Sequence, residues 1–240
     1  MNLASRERPS PNHDDRGPAP RIDMLVLHYT GMPTAEAALE RLCDPAARVS
    51  AHYVVGEDGT IWRLVSEKRR AFHAGRSCWA GESDLNRVSI GVEIVNPGHE
   101  WGYCPFPETQ MAAVVRLCRD ILARNLIPPS RVVGHSDIAP DRKKDPGELF
   151  DWPRLARAGI GIWPGRSRLR SPAPVEHARA LGDLRAIGYC TPAAAQEPLI
   201  AAFQRRFLPV RCDGVLDRET ATRIAEVHAA YDLLRASVEA

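Results

Sequence analysis

No apolar run in this sequence approaches the roughly 20 residues a helix needs to cross a bilayer. The longest stretches, such as Met24-Leu25-Val26-Leu27 and Ile121-Leu122-Ala123, are a fraction of that, so no integral membrane segment is expected. An excess of one charge is also missing. Lys and Arg number 32 against 30 Asp and Glu, split 21 to 21 over residues 1–164 and 11 to 9 over residues 165–240, which removes the footprint of a nucleic-acid binder. None of the six cysteines, at 43, 78, 104, 118, 190 and 212, falls in a C-x-x-C pair, which argues against zinc-finger or thioredoxin-like use. Six scattered cysteines in a chain of 240 residues do not make a disulfide scaffold, and the reading is a reducing compartment. The first twenty residues hold no apolar segment after a basic start and no small-residue cleavage site, so the expected location is the cytoplasm, with the periplasm as the alternative.

What is present is a globular composition, 44% hydrophobic and 26% charged, long enough for one large domain or a medium domain plus a small one. Residues 1–21 read as an N-terminal extension, because Pro9, Pro11, Pro18 and Pro20 lie among charges without an apolar period. Met24 to Leu27 is sized for a buried strand ending at His28, and a helix over 34–42 follows with Thr34 as N-cap. Two β-rich runs, 51–55 and 60–65, flank Gly56-Glu57-Asp58-Gly59, which is hairpin chemistry. Residues 88–95 form a mostly apolar strand interrupted by Glu93. Met111, Val114, Val115, Cys118, Ile121 and Leu122 mark an amphipathic helix over 108–124 that Pro128-Pro129 ends. A short strand over 131–134 delivers His135, and a short helix starts at Asp151.

These elements predict an α/β fold, a mixed β-sheet flanked by helices over residues 22–164. A Pro-, Ser- and Arg-rich linker over 165–174 leads to a small three-helix domain over 175–240, with helices near 176–187, 196–207 and 217–235. Asp217 is the N-cap candidate of the last helix. At this size the unit is marginal alone and is expected to lean on the larger domain.

Two of the eight histidines, His28 and His135, stand at the C-terminal ends of apolar strands, and Asp145 lies ten residues beyond His135 in a loop able to fold back. Two imidazoles and a carboxylate leave one position open around Zn²⁺, the pattern of a catalytic zinc, although a strand-end histidine is more often structural. Glu93 is costly to bury inside an apolar strand unless it is paired, lies on an open face, or works chemically. By position alone His52 and His73 compete as metal ligands or substrate contacts.

The runs Leu25-Val26-Leu27-His28-Tyr29-Thr30, Ser50-Ala51-His52-Tyr53, His73-Ala74-Gly75, Ser89-Ile90-Gly91-Val92-Glu93, Val132-Val133-Gly134-His135-Ser136-Asp137 and Arg142-Lys143-Lys144-Asp145-Pro146-Gly147 resemble the type-2 N-acetylmuramoyl-L-alanine amidases, a zinc amidase family that includes the peptidoglycan recognition proteins. The resemblance covers residues 22–164, in order and in spacing. It implies one Zn²⁺ per chain held by His28, His135 and Asp145, with Glu93 as the essential acid and Lys143 as the cationic residue that stabilises the transition state. It also implies hydrolysis of the amide between the lactyl group of N-acetylmuramic acid and L-alanine, in peptidoglycan or muropeptides, for wall turnover or recycling. Tyr29, His52 and His73 are placed by it as substrate-binding residues or supports of the ligands.

Trp79-Ala80-Gly81, Asn96-Pro97-Gly98 and the Ile160 to Pro164 ending resemble the broad-specificity branch, and Ala202-Phe203-Gln204-Arg205-Arg206-Phe207 resembles a peptidoglycan-binding domain of the three-helix type. Two rival readings stand beside this one. A non-catalytic peptidoglycan recognition protein would keep the groove and lose a ligand, yet all three ligand positions are present. A cysteine peptidase would use Cys78 or Cys104 with a histidine, although Cys104 lies in a loop with no strand-to-helix nucleophile setting.

Overall fold

The computed structural model describes residues 5–18, 21–165, 176–190 and 196–239. Strand β1 (Arg6–Glu7) and β2 (His13–Asp15) precede β3 (Met24–Tyr29), which runs into α1 (Ala35–Cys43). The Thr34 hydroxyl accepts the Ala37 N–H at the start of α1, the capping expected of a threonine there. Next, β4 (Tyr53–Val55) and β5 (Ile61–Arg63) form the hairpin, with Gly59 at φ 81° in its turn. β6 (Arg69–Ala71) and the single turn α2 (Leu85–Val88) lead to β7 (Ser89–Ile94), followed by α3 (Gly98–Trp101). The long α4 (Glu108–Asn125) ends at Leu126, and β8 (Val132–Gly134) passes directly into α5 (His135–Ile138). α6 (Trp152–Arg157) starts at an Asp151 cap and closes the first unit. α7 (His177–Ile187), α8 (Gln196–Phe207) and α9 (Arg218–Glu239) follow, with the Asp217 carboxylate accepting the Thr220 N–H at the start of α9.

The main sheet has the order β1-β5-β4-β7-β3-β8, mixed in direction, with β3, β4, β7 and β8 parallel to their neighbours and β4-β5 antiparallel. Period-2 alternation sorts its residues between two faces. Leu25, Leu27, Ile90, Val92 and Ile94 pack under α4 and α6 with Met111, Val114, Leu117 and Leu155. Met24, Val26 and Val133 face the other way, into a cluster with Trp79, Leu85, Leu184, Tyr189, Phe203, Phe207 and Tyr231. The C-terminal helices therefore share a hydrophobic core with the sheet, which is how a unit of this size is supported. Most of the linker expected over 165–174 lies outside the described residues.

Two expectations need correction. The segment before Ile22 is not a loose extension where it is described: β1 pairs parallel with β5, β2 pairs antiparallel with β6, and Arg16 is buried. Strands of two and three residues carry no period, so composition alone could not reveal them. Second, Cys78 and Cys190 form a disulfide spanning 112 residues, where the scattered cysteines had suggested no pairing.

Candidate metal centre and active-site groove

Register brings the chemistry together. In the parallel pair β3-β7, His28 lies opposite Glu93, and Leu27 of β3 lies opposite Gly134 of β8, so His135 emerges beside His28 at the carboxyl ends of the strands. Open α/β sheets commonly bind ligands at this end. The same parity places Val26, His28, Gly91 and Glu93 on one face. Asp145 is returned to this point by its loop. The Ser136 N–H donates to the Asp145 carbonyl, the Lys143 N–H donates to the Ala139 carbonyl, and the Arg142 guanidinium donates to the Ala74 and Arg76 carbonyls.

Hydrogen bonding fixes both ring tautomers. The Ser89 hydroxyl donates to the Leu85 carbonyl, so its oxygen accepts from His73 Nε2 at 3.2 Å. His73 Nδ1 is then an acceptor for His28 Nε2 at 3.0 Å, which leaves His28 Nδ1 without a proton. His135 Nε2 faces the Ala74 carbonyl at 3.2 Å, which likewise leaves its Nδ1 bare. Those two bare nitrogens lie 2.9 Å apart, and Asp145 Oδ2 is 3.0 Å from each. Three buried electron-rich atoms converging without a hydrogen between them repel one another unless a cation sits among them. Tetrahedral Zn²⁺ with bonds of about 2.0–2.1 Å sets its ligand atoms about 3.3 Å apart, close to this triangle. The donor set fits a divalent metal.

Burial, then the neighbouring His135, pushes His28 down to about 4, so a neutral imidazole is available as ligand. Burial opposes ionisation of Asp145, yet the His135 and His28 imidazoles beside it hold its carboxyl below the usual carboxylate range. Glu93 keeps an edge on the groove, while its Oε2 is buried with no hydrogen-bond partner. Burial, then Asp145, raises its proton affinity well above that of a free glutamate, with Lys143 opposing.

Glu93, His135 and Asp145 line a groove of about 650 Å³ together with Tyr29, His99, Trp101, Arg142, Lys143 and Lys144. Lys143 and Glu93 thus face one space. The Tyr29 hydroxyl lies 2.9 Å from His99 Nδ1, and His99 stacks on Tyr103 and reaches Glu148 at 3.1 Å through Nε2. Sequence reading missed His99, although it directly follows the noted Asn96-Pro97-Gly98 turn. His52 does not reach the trio: its Nδ1 accepts the Gly91 N–H, and its Nε2 lies 2.8 Å from Arg16. Burial and the Arg16 charge push His52 down to about 3. Of the thiol candidates, Cys78 is spent in the disulfide and Cys104 Sγ contacts the Asn96 amide rather than a histidine.

The fold carries, at the carboxyl end of a mixed sheet, a His-His-Asp group able to hold a metal ion. The profile of the Amidase_2 family, N-acetylmuramoyl-L-alanine amidase, matches residues 18–148. AmiD of Escherichia coli, an N-acetylmuramoyl-L-alanine amidase, is 41% identical over 225 residues, covering 84% of this chain and 80% of its own length. Its structure in complex with the substrate anhydro-N-acetylmuramic acid-L-Ala-D-γ-Glu-L-Lys superposes with a TM-score of 0.81 at 38% identity, over 90% of this chain and 91% of that one. AmpDh3 of Pseudomonas aeruginosa, in complex with anhydromuramic pentapeptide, gives a TM-score of 0.82 at 36% identity over 88% of this chain and 92% of that one. The 1,6-anhydro-N-acetylmuramyl-L-alanine amidase AmpD of Escherichia coli is 36% identical across 91% of its length but 64% of this chain. The chain belongs to the N-acetylmuramoyl-L-alanine amidase family and is an amidase that hydrolyses the amide joining N-acetylmuramic acid to L-alanine.

Proposed function

We propose that this amidase is a zinc enzyme of muropeptide and peptidoglycan breakdown, with His28 Nδ1, His135 Nδ1 and Asp145 Oδ2 holding the metal. The observation that carries this is the convergence of two bare imidazole nitrogens and a carboxylate oxygen at 2.9–3.0 Å beside a buried, unpartnered glutamate oxygen. When bound, zinc supplies a Lewis acid and lowers the pKa of water to about 7. Glu93 accepts a proton from the attacking water, helped by the raised affinity of its buried carboxyl, and passes it to the departing alanine nitrogen. Lys143, facing the same groove, stabilises the oxyanion that develops on the carbonyl. His73 holds the His28 ring through the Ser89–His73–His28 chain of hydrogen bonds, while Tyr29 and His99 shape one wall for substrate.

AmiD and AmpDh3 were both captured with anhydro-muropeptides, which supports a soluble anhydro-muropeptide as a substrate here. The Cys78–Cys190 disulfide supports an oxidising compartment such as the periplasm over the cytoplasm. Binding of glycan by the C-terminal helices is a separate proposal, and the run that suggested it does not provide the surface: Phe203, Gln204, Arg206 and Phe207 are all at most 2% exposed.

Purified protein incubated with sacculi or with soluble anhydro-muropeptide, with mass spectrometry of the products, tests the reading. Release of free L-alanyl peptides, stopped by chelation and restored by zinc, is expected. Chelator-insensitive release would overturn the zinc assignment, and absence of release from both substrates would favour a recognition protein.

A further inference from the structure

A buried ion pair joins the C-terminal helices to the turn that carries His135. Asp137, two residues after His135 in α5, uses both carboxylate oxygens. Oδ2 accepts the Gly134 N–H at 2.8 Å and the Arg206 guanidinium at 2.6 Å, and Oδ1 accepts the Tyr189 hydroxyl at 2.7 Å. Arg206 comes from α8 and Tyr189 from just beyond α7, whereas Asp137 and Gly134 belong to the amidase unit. The second Arg206 nitrogen donates to the Val132 carbonyl on the outer edge of β8, and its guanidinium lies 4.1 Å over the Trp152 ring. Arg206 and Asp137 are 2% and 1% exposed, so both charges are held out of water.

Burying such a pair costs several kcal/mol of desolvation per ion and is often no better for stability than apolar packing. The surroundings, Trp152, Phe207 and the β8 backbone, would suit an apolar side chain. What the charge adds is direction. Arg206 binds the residue where β8 begins, and through Asp137 it binds Gly134, the residue immediately before the ligand. The same turn is held at its other end, where the Ile138 carbonyl accepts the Cys78 N–H, and Cys78 is joined by the disulfide to the residue after Tyr189.

We propose that Arg206 and Tyr189 are positioning residues for the metal centre: acting through Asp137, they fix the Gly134–His135 turn and so the direction of His135 Nδ1. The C-terminal helices thus serve the reaction from behind the ligand. The inference rests on the reading of His28, His135 and Asp145 as a metal site.

The test uses the full-length chain and the variants Arg206→Met, Arg206→Lys and Tyr189→Phe. Zinc affinity is measured by chelator competition, ligand geometry by the visible spectrum of the Co²⁺-substituted protein, and kcat and KM at saturating zinc, with circular dichroism as the check on folding. Outer contacts to metal ligands are commonly worth 10–100-fold in metal affinity. At one further remove, Arg206→Met is expected to weaken zinc binding about 10-fold, shift the Co²⁺ bands and lower kcat with KM little changed. Arg206→Lys should recover part of each effect, and Tyr189→Phe, which keeps the ion pair, should weaken zinc binding about 3-fold. Folded Arg206→Met and Tyr189→Phe proteins with wild-type zinc affinity and Co²⁺ spectrum would overturn the proposal and leave the pair a brace. Should Arg206→Met fail to fold, an unchanged Tyr189→Phe protein overturns it alone. A wild-type chain that binds neither metal would instead remove the metal-site reading.

Discussion

Burial and the nearby Asp145 carboxylate both favour the protonated form of Glu93, and no hydrogen bond to Oε2 compensates. Replacing it by glutamine keeps the shape and removes the proton carrier of the proposed mechanism, so Glu93→Gln should lower kcat by about 10²–10⁴-fold with bound zinc unchanged by metal analysis. The same residues set the response of the metal-stripped protein to acid. His28 and His52 are pushed down to about 4 and about 3, and His73 well below its ordinary value, all chiefly by burial. In the unfolded chain each titrates near 6.5, so their contribution to stability is complete above about pH 6.5 and is lost as pH falls, toward 3–4 for His28 and His52. Glu93 acts in reverse: its raised value gives stability that is complete below about pH 4.3 and is lost as pH rises. Three protons outweigh one, so the net effect over this interval is stability that rises with pH. Urea unfolding of the chelated protein should therefore show stability rising from pH 4.5 to 6.5, with Glu93→Gln gaining on wild type across that interval. A flat profile would mean that the histidines already carry protons in the fold.

Strand β7 can hold a histidine above it only because one of its residues has no side chain. A Cβ built on Gly91 would lie 2.4 Å from the His73 ring, and Gly91 also donates its N–H to His52 Nδ1. Gly91→Ala should displace His73, with a loss of about 1–3 kcal/mol and weaker zinc binding because His28 loses its orienting partner. Thermal melts with a zinc titration would check both, and unchanged zinc affinity in a destabilised variant would separate packing from ligand orientation. This element also marks where sequence reading succeeded and stopped. The strand with its carboxylate was legible as a mostly apolar run, and the meeting of His28, His135 and Asp145 was legible from strand ends together with the motif resemblance. The helices were legible from capping at Thr34 and Asp217 and from the stripe along α4, whereas the cap that Asp151 makes was not named. The use of Gly91 as a seat for His73 was not, since it depends on which loop crosses the strand. Arg16 was hidden for the same reason: in sequence it is one charge in a Pro-rich stretch, while in the fold it donates to the Glu67, Asn86, Arg87 and Ser89 carbonyls beside His52.

At the scale of the whole molecule, the amidase unit and the C-terminal helices have one core between them, in which Val26, Trp79 and Val133 meet Leu184, Phe203 and Tyr231. The disulfide crosses that boundary, with Cys78 on one side and Cys190 on the other, and Trp79 packs edge-on against Tyr189 beside it. Closing a loop of 112 residues restricts the unfolded chain strongly, and removing such a bond typically costs about 2–5 kcal/mol. In a chain of this size that corresponds to a fall in Tm of about 5–15 °C for Cys78→Ser/Cys190→Ser, or for wild type under a strong thiol reductant. The loss should fall on stability and spare catalysis. Arg206, Tyr189 and the shared apolar cluster still hold the His135 turn when the sulfurs are parted, so kcat at 25 °C should stay within about twofold of the oxidised protein. Differential scanning of oxidised, reduced and double-serine proteins, paired with muropeptide assays, distinguishes the outcomes. A Tm that ignores reductant would mean that the two thiols are not joined in solution, and the reducing compartment first read from the scattered cysteines would regain its ground. A fall in kcat matching the fall in Tm would show instead that the bond itself holds the His135 turn in place.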